Sequence, residues 1–363
     1  MKRTPFYERH VAAGAKMIGF AGYDMPVQYP MGIVQEHLAV RNAVGVFDVS
    51  HMGEFEIRGK DALAFLQKAT VNDVSKLTEG KVQYSALLYE HGGIVDDVLL
   101  YHCGEYYMMV VNASNITKDL DWLRSHATGN VAVDDVSDKT ALLAVQGPRS
   151  AEALQSLASF DLSSLAYYRF RRSTIAGVPM IVSRTGYTGE LGFELYFDAT
   201  EERHALKIWD AVFQAGAALG ISPVGLGARD TLRLEMGYCL YGNDIDENTN
   251  PLEAGLGWIT KMEKGDFIGR ESLLKVRKGE GGRALVGFTM PEKTLARHGF
   301  ALKAGKAVVG AVTSGTFSPS LQRGIGLGYV ERSLAAPGSS VTVDVRGREI
   351  EASIVELPFV RRS

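Results

Sequence analysis

The run Lys278-Gly-Glu-Gly-Gly282 divides the sequence into two parts with different patterning. It joins charged residues and glycine with nothing to bury, which reads as a linker. Upstream, helical spacing at 33–42, 62–69, 115–126, 201–219 and 268–276 is interspersed with strand-like runs at 53–58, 82–88, 94–101, 106–111, 141–146, 169–175, 179–183 and 192–197. Gly, Asp, Ser or Thr flank those helices where caps would sit. The mixture is α+β rather than a regular βαβ array. Downstream, short apolar pieces at 284–288, 306–313, 326–329, 340–345 and 350–355 follow one another between turns with almost no helical period. That predicts a small β-barrel or sandwich. The expected division is therefore 1–278 and 283–363, and no repeat of 20 to 50 residues is visible.

Composition agrees with this division. The 363 residues, 46% hydrophobic and 22% charged, suffice for about two to three domains with ordinary cores. Forty glycines imply many tight turns and a strand-rich chain. Lys and Arg number 39 against 42 Asp and Glu, a net charge of −3, so no global basic field favours nucleic acid or an anionic membrane. Cys103 and Cys239 form no CxxC pair, which suits a reducing compartment and excludes a disulfide scaffold. No apolar run reaches the ~18 residues of a membrane helix. The first ten residues mix acids with bases ahead of a short apolar stretch broken by Lys16, unlike a secretory signal. The expected location is the cytoplasm.

Three places carry charge where the pattern does not require it. In Gly92-Gly-Ile-Val-Asp-Asp97, strand alternation puts Asp96 with Ile94, Val98 and Leu100, and Asp97 with Val95, Leu99 and Tyr101. Both faces are otherwise apolar, so at least one carboxylate lies near a core. It is either a perturbed functional acid or a carboxylate satisfied by hydrogen bonds near the turn. In Ser183-Arg-Thr-Gly-Tyr-Thr-Gly-Glu190 and the strand after it, Gly192, Glu194 and Tyr196 share a face. Glu194 beside a bare glycine has the acceptors to take two parallel N–H bonds from an aminopyrimidine edge such as a pterin. The alternative is the solvent face of an amphipathic strand. In Gly225-Leu-Gly-Ala-Arg-Asp230, Arg229 sits at a helix start one turn before Arg233. Two cations so placed repel, and the first is disfavoured by the helix dipole. Asp230, Glu235 or a ligand carboxylate is the expected compensation.

Several other chemistries lack their geometry. Asp244-Ile-Asp-Glu-Asn-Thr-Asn-Pro251 starts like a calcium loop, but Thr249 replaces the turn glycine and Gly255 the bidentate glutamate. There is no H-E-x-x-H pair, no G-x-S-x-G elbow, no G-x-G-x-x-G and no Walker A run. Metalloprotease, elbow-type hydrolase, dehydrogenase and kinase readings have no support, and neither a metal nor a nucleotide cofactor is expected.

Taken together, the motifs resemble a known family. Phe47-Asp-Val-Ser-His-Met-Gly-Glu54, Gly92-Gly-Ile-Val-Asp-Asp97, Val145-Gln-Gly-Pro148, Ser183 to Glu190, Gly225 to Asp230, Leu232-Arg-Leu-Glu235, Asp246-Glu-Asn-Thr-Asn-Pro251 and Thr313-Ser-Gly occur in the order found in T proteins of the glycine cleavage system. The resemblance spans nearly the whole chain. It implies an enzyme that moves the methylene of the aminomethyl group on the lipoyl arm of H protein to tetrahydrofolate, releasing ammonia. It implies three domains around a central folate channel, the first two interleaved in sequence within 1–278 and the last a small β-barrel. Carried over by position, Asp97 matches the essential aspartate, Glu194 the pterin-binding carboxylate and Arg229 the partner of the folate tail. Tyr84, Val110, Tyr168 and Tyr187 match positions lining the folate. Other family members continue a little past the end of this sequence, so Arg361 or Arg362 is the candidate to replace a tail contact. Two rival readings follow from the same resemblance: a folate-dependent demethylase of a small molecule, and a non-enzymatic folate-binding regulator. The regulators carry a K-G-C-Y-x-G-Q-E-like string where this chain reads Glu235-Met-Gly-Tyr-Cys-Leu-Tyr-Gly-Asn243.

Overall fold

Alternating and helical periods become strands and helices close to where they begin and end in the sequence. A computed structural model describes residues 1–279, 282–291 and 294–361, so Glu280 and Gly281 of the expected linker, and Arg362, lie outside it. The chain begins with α1 (Tyr7–Ala12), β1 (Lys16–Phe20), β2 (Tyr23–Gln28), α2 (Gly32–Asn42), β3 (Val44–Asp48), β4 (Gly53–Arg58) and α3 (Ala62–Ala69). It continues through β5 (Val82–Leu88), β6 (Ile94–His102), β7 (Tyr107–Val111), α4 (Ile116–His126), β8 (Ala132–Asp135), β9 (Thr140–Gln146) and α5 (Ser150–Gln155). Next come β10 (Phe170–Ile175), β11 (Val178–Ser183), β12 (Gly192–Asp198), α6 (Glu202–Gly216), β13 (Ile221–Pro223), α7 (Leu226–Glu235) and α8 (Arg270–Lys278). The last part holds β14 (Arg283–Thr289), β15 (Ala301–Ala304), β16 (Ala307–Ser318), β17 (Arg323–Glu331), β18 (Ser340–Val345) and β19 (Arg348–Val355).

These elements form two compact units interleaved along the sequence. The first comprises Met1–Leu66, Val74–Tyr84 and Val98–Asp230, and the second Gln67–Asp73, Ser85–Asp97 and Thr231–Ser363. In the first, a six-stranded sheet has the order β10-β11-β12-β9-β3-β13, antiparallel except for the β3–β13 pair. Ala205, Ile208, Trp209 and Val212 recur at helical spacing along α6, and they bury against Val145, Val182, Phe193 and Leu195 of this sheet. Buried on both faces, β3 shows no alternation, which is why its sequence does not announce a strand. A five-stranded sheet follows the order β5-β6-β7-β4-β8, and β5 and β6 each pass from one unit to the other. Its register sets Glu54 of β4 opposite Val110 of β7, and Val110 opposite Leu99 of β6.

In the second unit the expected barrel or sandwich is a closed six-stranded barrel, β14-β17-β16-β15-β18-β19. Its interior packs Phe288, Met290, Leu302, Val312, Val330, Val341, Val343 and Ile354. Gly326 of β17 must be bare, because a Cβ there would stand 2.4 Å from Phe288 Cζ. Cys103 and Cys239 are buried and form no disulfide.

Candidate functional site

β12 brings the first candidate residue inside. Phe193, Leu195 and Phe197 enter the hydrophobic core, and the opposite face of Gly192, Glu194 and Tyr196 is buried too. Glu194 is 7% exposed, so the solvent-face alternative does not form. Nor does Gly192 leave room for a ligand. A Cβ there would meet Gln146 Nε2 at 2.5 Å, and one on Gly186 would meet Gln146 Oε1 at 2.0 Å. Gln146 uses that space to donate to the carbonyls of Thr185 and Phe193 at 3.1 and 3.3 Å, and it accepts from the Thr188 hydroxyl at 2.9 Å. These bonds fix the 184–191 loop against β12.

Around Glu194 lies a cluster of hydroxyls. The Thr185 hydroxyl donates to Glu194 Oε2 in a short hydrogen bond, and the Tyr196 hydroxyl donates to the same oxygen at 3.4 Å. Tyr101 OH lies 3.0 Å from Tyr196 OH and 3.3 Å from Thr185 Oγ1. Both bonds to Glu194 end on Oε2, and Oε1 takes none among the described residues. Burial raises the Glu194 carboxyl above the usual range, opposed by Thr185, Arg229 and Tyr196. Burial also raises Tyr101 and Tyr196, so both phenols keep their protons.

Arg229 lies in the first turn of α7, as its loop-into-helix sequence predicts. Its guanidinium stacks on the Tyr187 ring at 4.8 Å and makes no ion pair among the described residues. The compensation expected from Glu235 is absent, because Glu235 accepts from Ser318 Oγ at 2.5 Å and Ser320 Oγ at 2.8 Å in the second unit. Arg233 differs from Arg229: its Nη1 pairs with Asp244 Oδ2 at 2.6 Å, both side chains being buried. The calcium-like start of the 244–251 segment thus serves an ion pair.

The loop after β3 brings in residues that sequence reasoning quoted without a role. Asp48 Oδ1 accepts the Ser50 N–H at 3.0 Å in a local turn, and Oδ2 accepts from Thr4 Oγ1 at 2.5 Å and lies 2.9 Å from His10 Nε2. His10 Nδ1 is 2.8 Å from Tyr29 OH, so this chain of bonds anchors α1 and the loop together. After Ser50, His51 is 2% exposed and its Nδ1 has no hydrogen-bond partner among the described residues. Burial and the Arg229 charge lower its pKa to about 4, which keeps the imidazole neutral. Three residues on, Glu54 is 1% exposed and neither carboxyl oxygen has a partner among the described residues. Burial, then Asp135 and Glu194, push its carboxyl far above the usual range, so it holds its proton. Only burial distinguishes these two residues, and an alternating strand such as Gly53-Glu-Phe-Glu-Ile-Arg58 does not reveal it.

The remaining candidates are placed as follows. Val110 is buried opposite Glu54. Tyr187 is half-buried against Arg229. Half-buried Tyr168 adopts φ +60°, and its carbonyl accepts the Val82 N–H at 2.9 Å, which ties it to the start of the strand carrying Tyr84. In the second unit, Asp96 is wholly buried and Asp97 half-buried, so the carboxylate deepest in the core is not the one that matches the family's aspartate. Arg361 is exposed and pairs with Glu356 at 2.9 Å. No group of three or more His, Cys, Asp or Glu among the described residues could hold a metal ion.

Comparison with known proteins accounts for both the order of the motifs and the fold. Residues 6–264 match the GCVT N-terminal domain and residues 283–361 the glycine cleavage T-protein C-terminal barrel domain. The aminomethyltransferase of Bacteroides fragilis is 53% identical over 365 residues, with 99% of each chain covered. That of Halothermothrix orenii is 50% identical over 361 residues, covering 99% of this chain and 100% of the relative. The crystal structure of glycine cleavage system aminomethyltransferase T from Bartonella henselae superposes with a TM-score of 0.91 at 36% identity, covering 99% of this chain and 98% of that one. With both family domains matched and full-length relatives at half identity, the chain belongs to the glycine cleavage T-protein family, the aminomethyltransferases.

Proposed function

We propose that this transferase takes the aminomethyl group carried on the lipoyl arm of H protein, passes its methylene to tetrahydrofolate and releases ammonia. One observation carries the folate reading. A buried carboxylate with one oxygen unused, Glu194, and a guanidinium with no ion pair, Arg229, occur in one unit and are separated in charge and chemistry as a folate requires. The ring end offers N–H donors to Glu194, and the anionic glutamate tail offers a carboxylate to Arg229. Tyr187, against which Arg229 stacks, keeps the guanidinium plane fixed for such a contact. Tyr84, Val110 and Tyr168 complete the proposed lining. Residues 1–278 are proposed as the folate-binding region in two sequence-interleaved domains, and 283–363 as the barrel domain. A cytoplasmic location is proposed with it, and no described helix is long and apolar enough to cross a membrane.

Tetrahydrofolate supplies the two nitrogens that receive the methylene. Asp97 is proposed as the carboxylate at the reacting carbon. When the carbon–sulfur bond breaks, the electron pair leaves with sulfur and positive charge develops on the CH2–NH2 carbon. A fixed carboxylate stabilises that charge better in a dry site than in water. Asp97 also orients the first folate nitrogen, and the second then displaces ammonia. The two N–H protons lost by folate end on the thiolate and on the leaving amine. Glu194 and Arg229 contribute by holding the acceptor at attack distance.

The test is ammonia release from aminomethylated H protein, with and without tetrahydrofolate. Strong folate-dependent acceleration is expected. Asp97→Asn should lower turnover by about 100-fold or more while folate affinity stays within a few-fold. Near-normal turnover in that variant would remove Asp97 from the chemistry. Folate binding without acceleration in the wild type would favour a demethylase or a regulator.

A further inference from the structure

A buried polar atom without a partner costs about 1–3 kcal/mol, so a native protein keeps one for a reason or fills it with water or ligand. The first unit keeps three in one short stretch: both carboxyl oxygens of Glu54 and Nδ1 of His51. Neither residue serves the proposed aminomethyl transfer, and no described side chain satisfies them. Their setting is specific. Glu54 faces the same side of its sheet as Val110, directly opposite it, and Val110 is one of the residues proposed to line the folate. Residues so paired stand about 5 Å apart at Cβ. The Glu194 charge acts on Glu54, and both carboxyls act on the Tyr196 phenol, so Glu54 belongs to the same buried cluster. His51 shares it through the Arg229 charge.

A protonated carboxyl differs from Glu194 in what it can recognise. It offers one O–H donor and one C=O acceptor side by side, whereas a carboxylate only accepts. Asp135 and Glu194 are the charged groups acting on Glu54, both negative, so a second carboxylate there would be repelled and the protonated form is the one that persists. We propose that the Glu54 carboxyl is a further recognition group for the pteridine ring of the folate, taking one donor and one acceptor of the ring edge beside Glu194. This rests on the folate reading above and assigns the ring two edges, one read by charge and one by an uncharged pair.

The test uses the full-length protein and 5-formyltetrahydrofolate as probe, with affinity from calorimetric titration and the unfolding midpoint of each variant measured in parallel. Glu54→Gln keeps one donor and one acceptor and should bind within about threefold of wild type. Glu54→Leu should weaken binding about 10- to 100-fold while the midpoint holds or rises, because a buried orphan has been removed. If Glu54→Leu does not fold, infrared difference spectra of the wild type carry the test. A protonated-carboxyl C=O band that shifts on adding the probe and is missing in Glu54→Gln supports the proposal, and an unshifted band overturns it. Wild-type affinity in Glu54→Leu, or an equal loss in Glu54→Gln with the midpoint kept, also overturns it. A wild type that fails to bind the probe removes the folate reading itself, so the two failures are told apart.

Discussion

His51 shows how far one buried side chain sets behaviour that its sequence neighbourhood does not announce. Its imidazole is held neutral with a pKa of about 4, against an ordinary 6.5. Between those values the unfolded chain binds more protons than the native one, so stability falls as pH drops from 6.5 to 4, by up to about 3 kcal/mol. Glu54 acts in the opposite sense, because its raised carboxyl loses stability as pH rises toward the folded value. Urea unfolding at a series of pH values should therefore show that lowering the pH through this window costs His51→Gln less stability than it costs wild type, the opposing Glu54 contribution being common to both. A variant slope equal to that of wild type would assign the acid sensitivity to another group. At this scale the sequence marks residues by chemical type but not by depth. Asp97, Glu194 and Arg229 stand out because each is a charge in a pattern that does not need one. Arg229 and Arg233 look equivalent one turn apart, yet Arg233 finds Asp244 across a loop that no local spacing reveals, while Arg229 stacks on an aromatic ring.

Among the elements, α3 depends on a residue almost two hundred positions away. The Lys264 ammonium donates to the carbonyls of Gln67 and Asn72 at 2.5 and 2.7 Å and, in a short bond, to that of Thr70. These oxygens lie at and just past the helix C-terminus, where carbonyls lack intrahelical partners and a cation suits the dipole. Burial lowers Lys264 to about 7, so three close acceptors are what make an ammonium tolerable there. Lys264→Met leaves all three carbonyls without this donor and should cost about 2–4 kcal/mol in urea unfolding, with the loss of amide protection centred on 67–73. An unchanged midpoint would mean that water replaces the ammonium at no cost. The helix itself is legible at 62–69 because its apolar spacing is local, as are the strands at 53–58, 82–88 and 340–345. α1 and α5 have six residues each, too few to display a helical period, and β15 has only four. Their existence is settled by what packs on them.

Across the whole molecule, composition changes at 278–282, yet compactness follows a different line. The barrel strands belong to one unit with the chain from Thr231 onward, which includes α8 and the 244–251 segment. The fastening is polar and buried. Asp244 accepts from Arg233 Nη1 at 2.6 Å, Thr313 Oγ1 at 2.6 Å and the Leu240 N–H at 3.0 Å, while Arg233 Nη2 reaches Ser314 Oγ at 2.8 Å. Tyr329 on β17 donates to the Asp244 carbonyl at 2.8 Å. Thr313 and Ser314 lie on β16, so one ion pair holds the end of α7, the 244 turn and two barrel strands. Breaking a buried pair from one side leaves the other charge without compensation, and Arg233→Met should cost about 3–5 kcal/mol. Replacing both partners, Arg233→Met with Asp244→Leu, should recover part of that loss, because the uncompensated charge goes while the Leu240 and Thr313 donors and the Tyr238 and Ser314 acceptors lose their partners. If pair and barrel form one cooperative unit, Arg233→Met lowers amide protection in β16 and β17 together with that of α7 in native-state exchange. Loss confined to α7 would instead make the barrel an independently stable module, with its boundary where the composition changes.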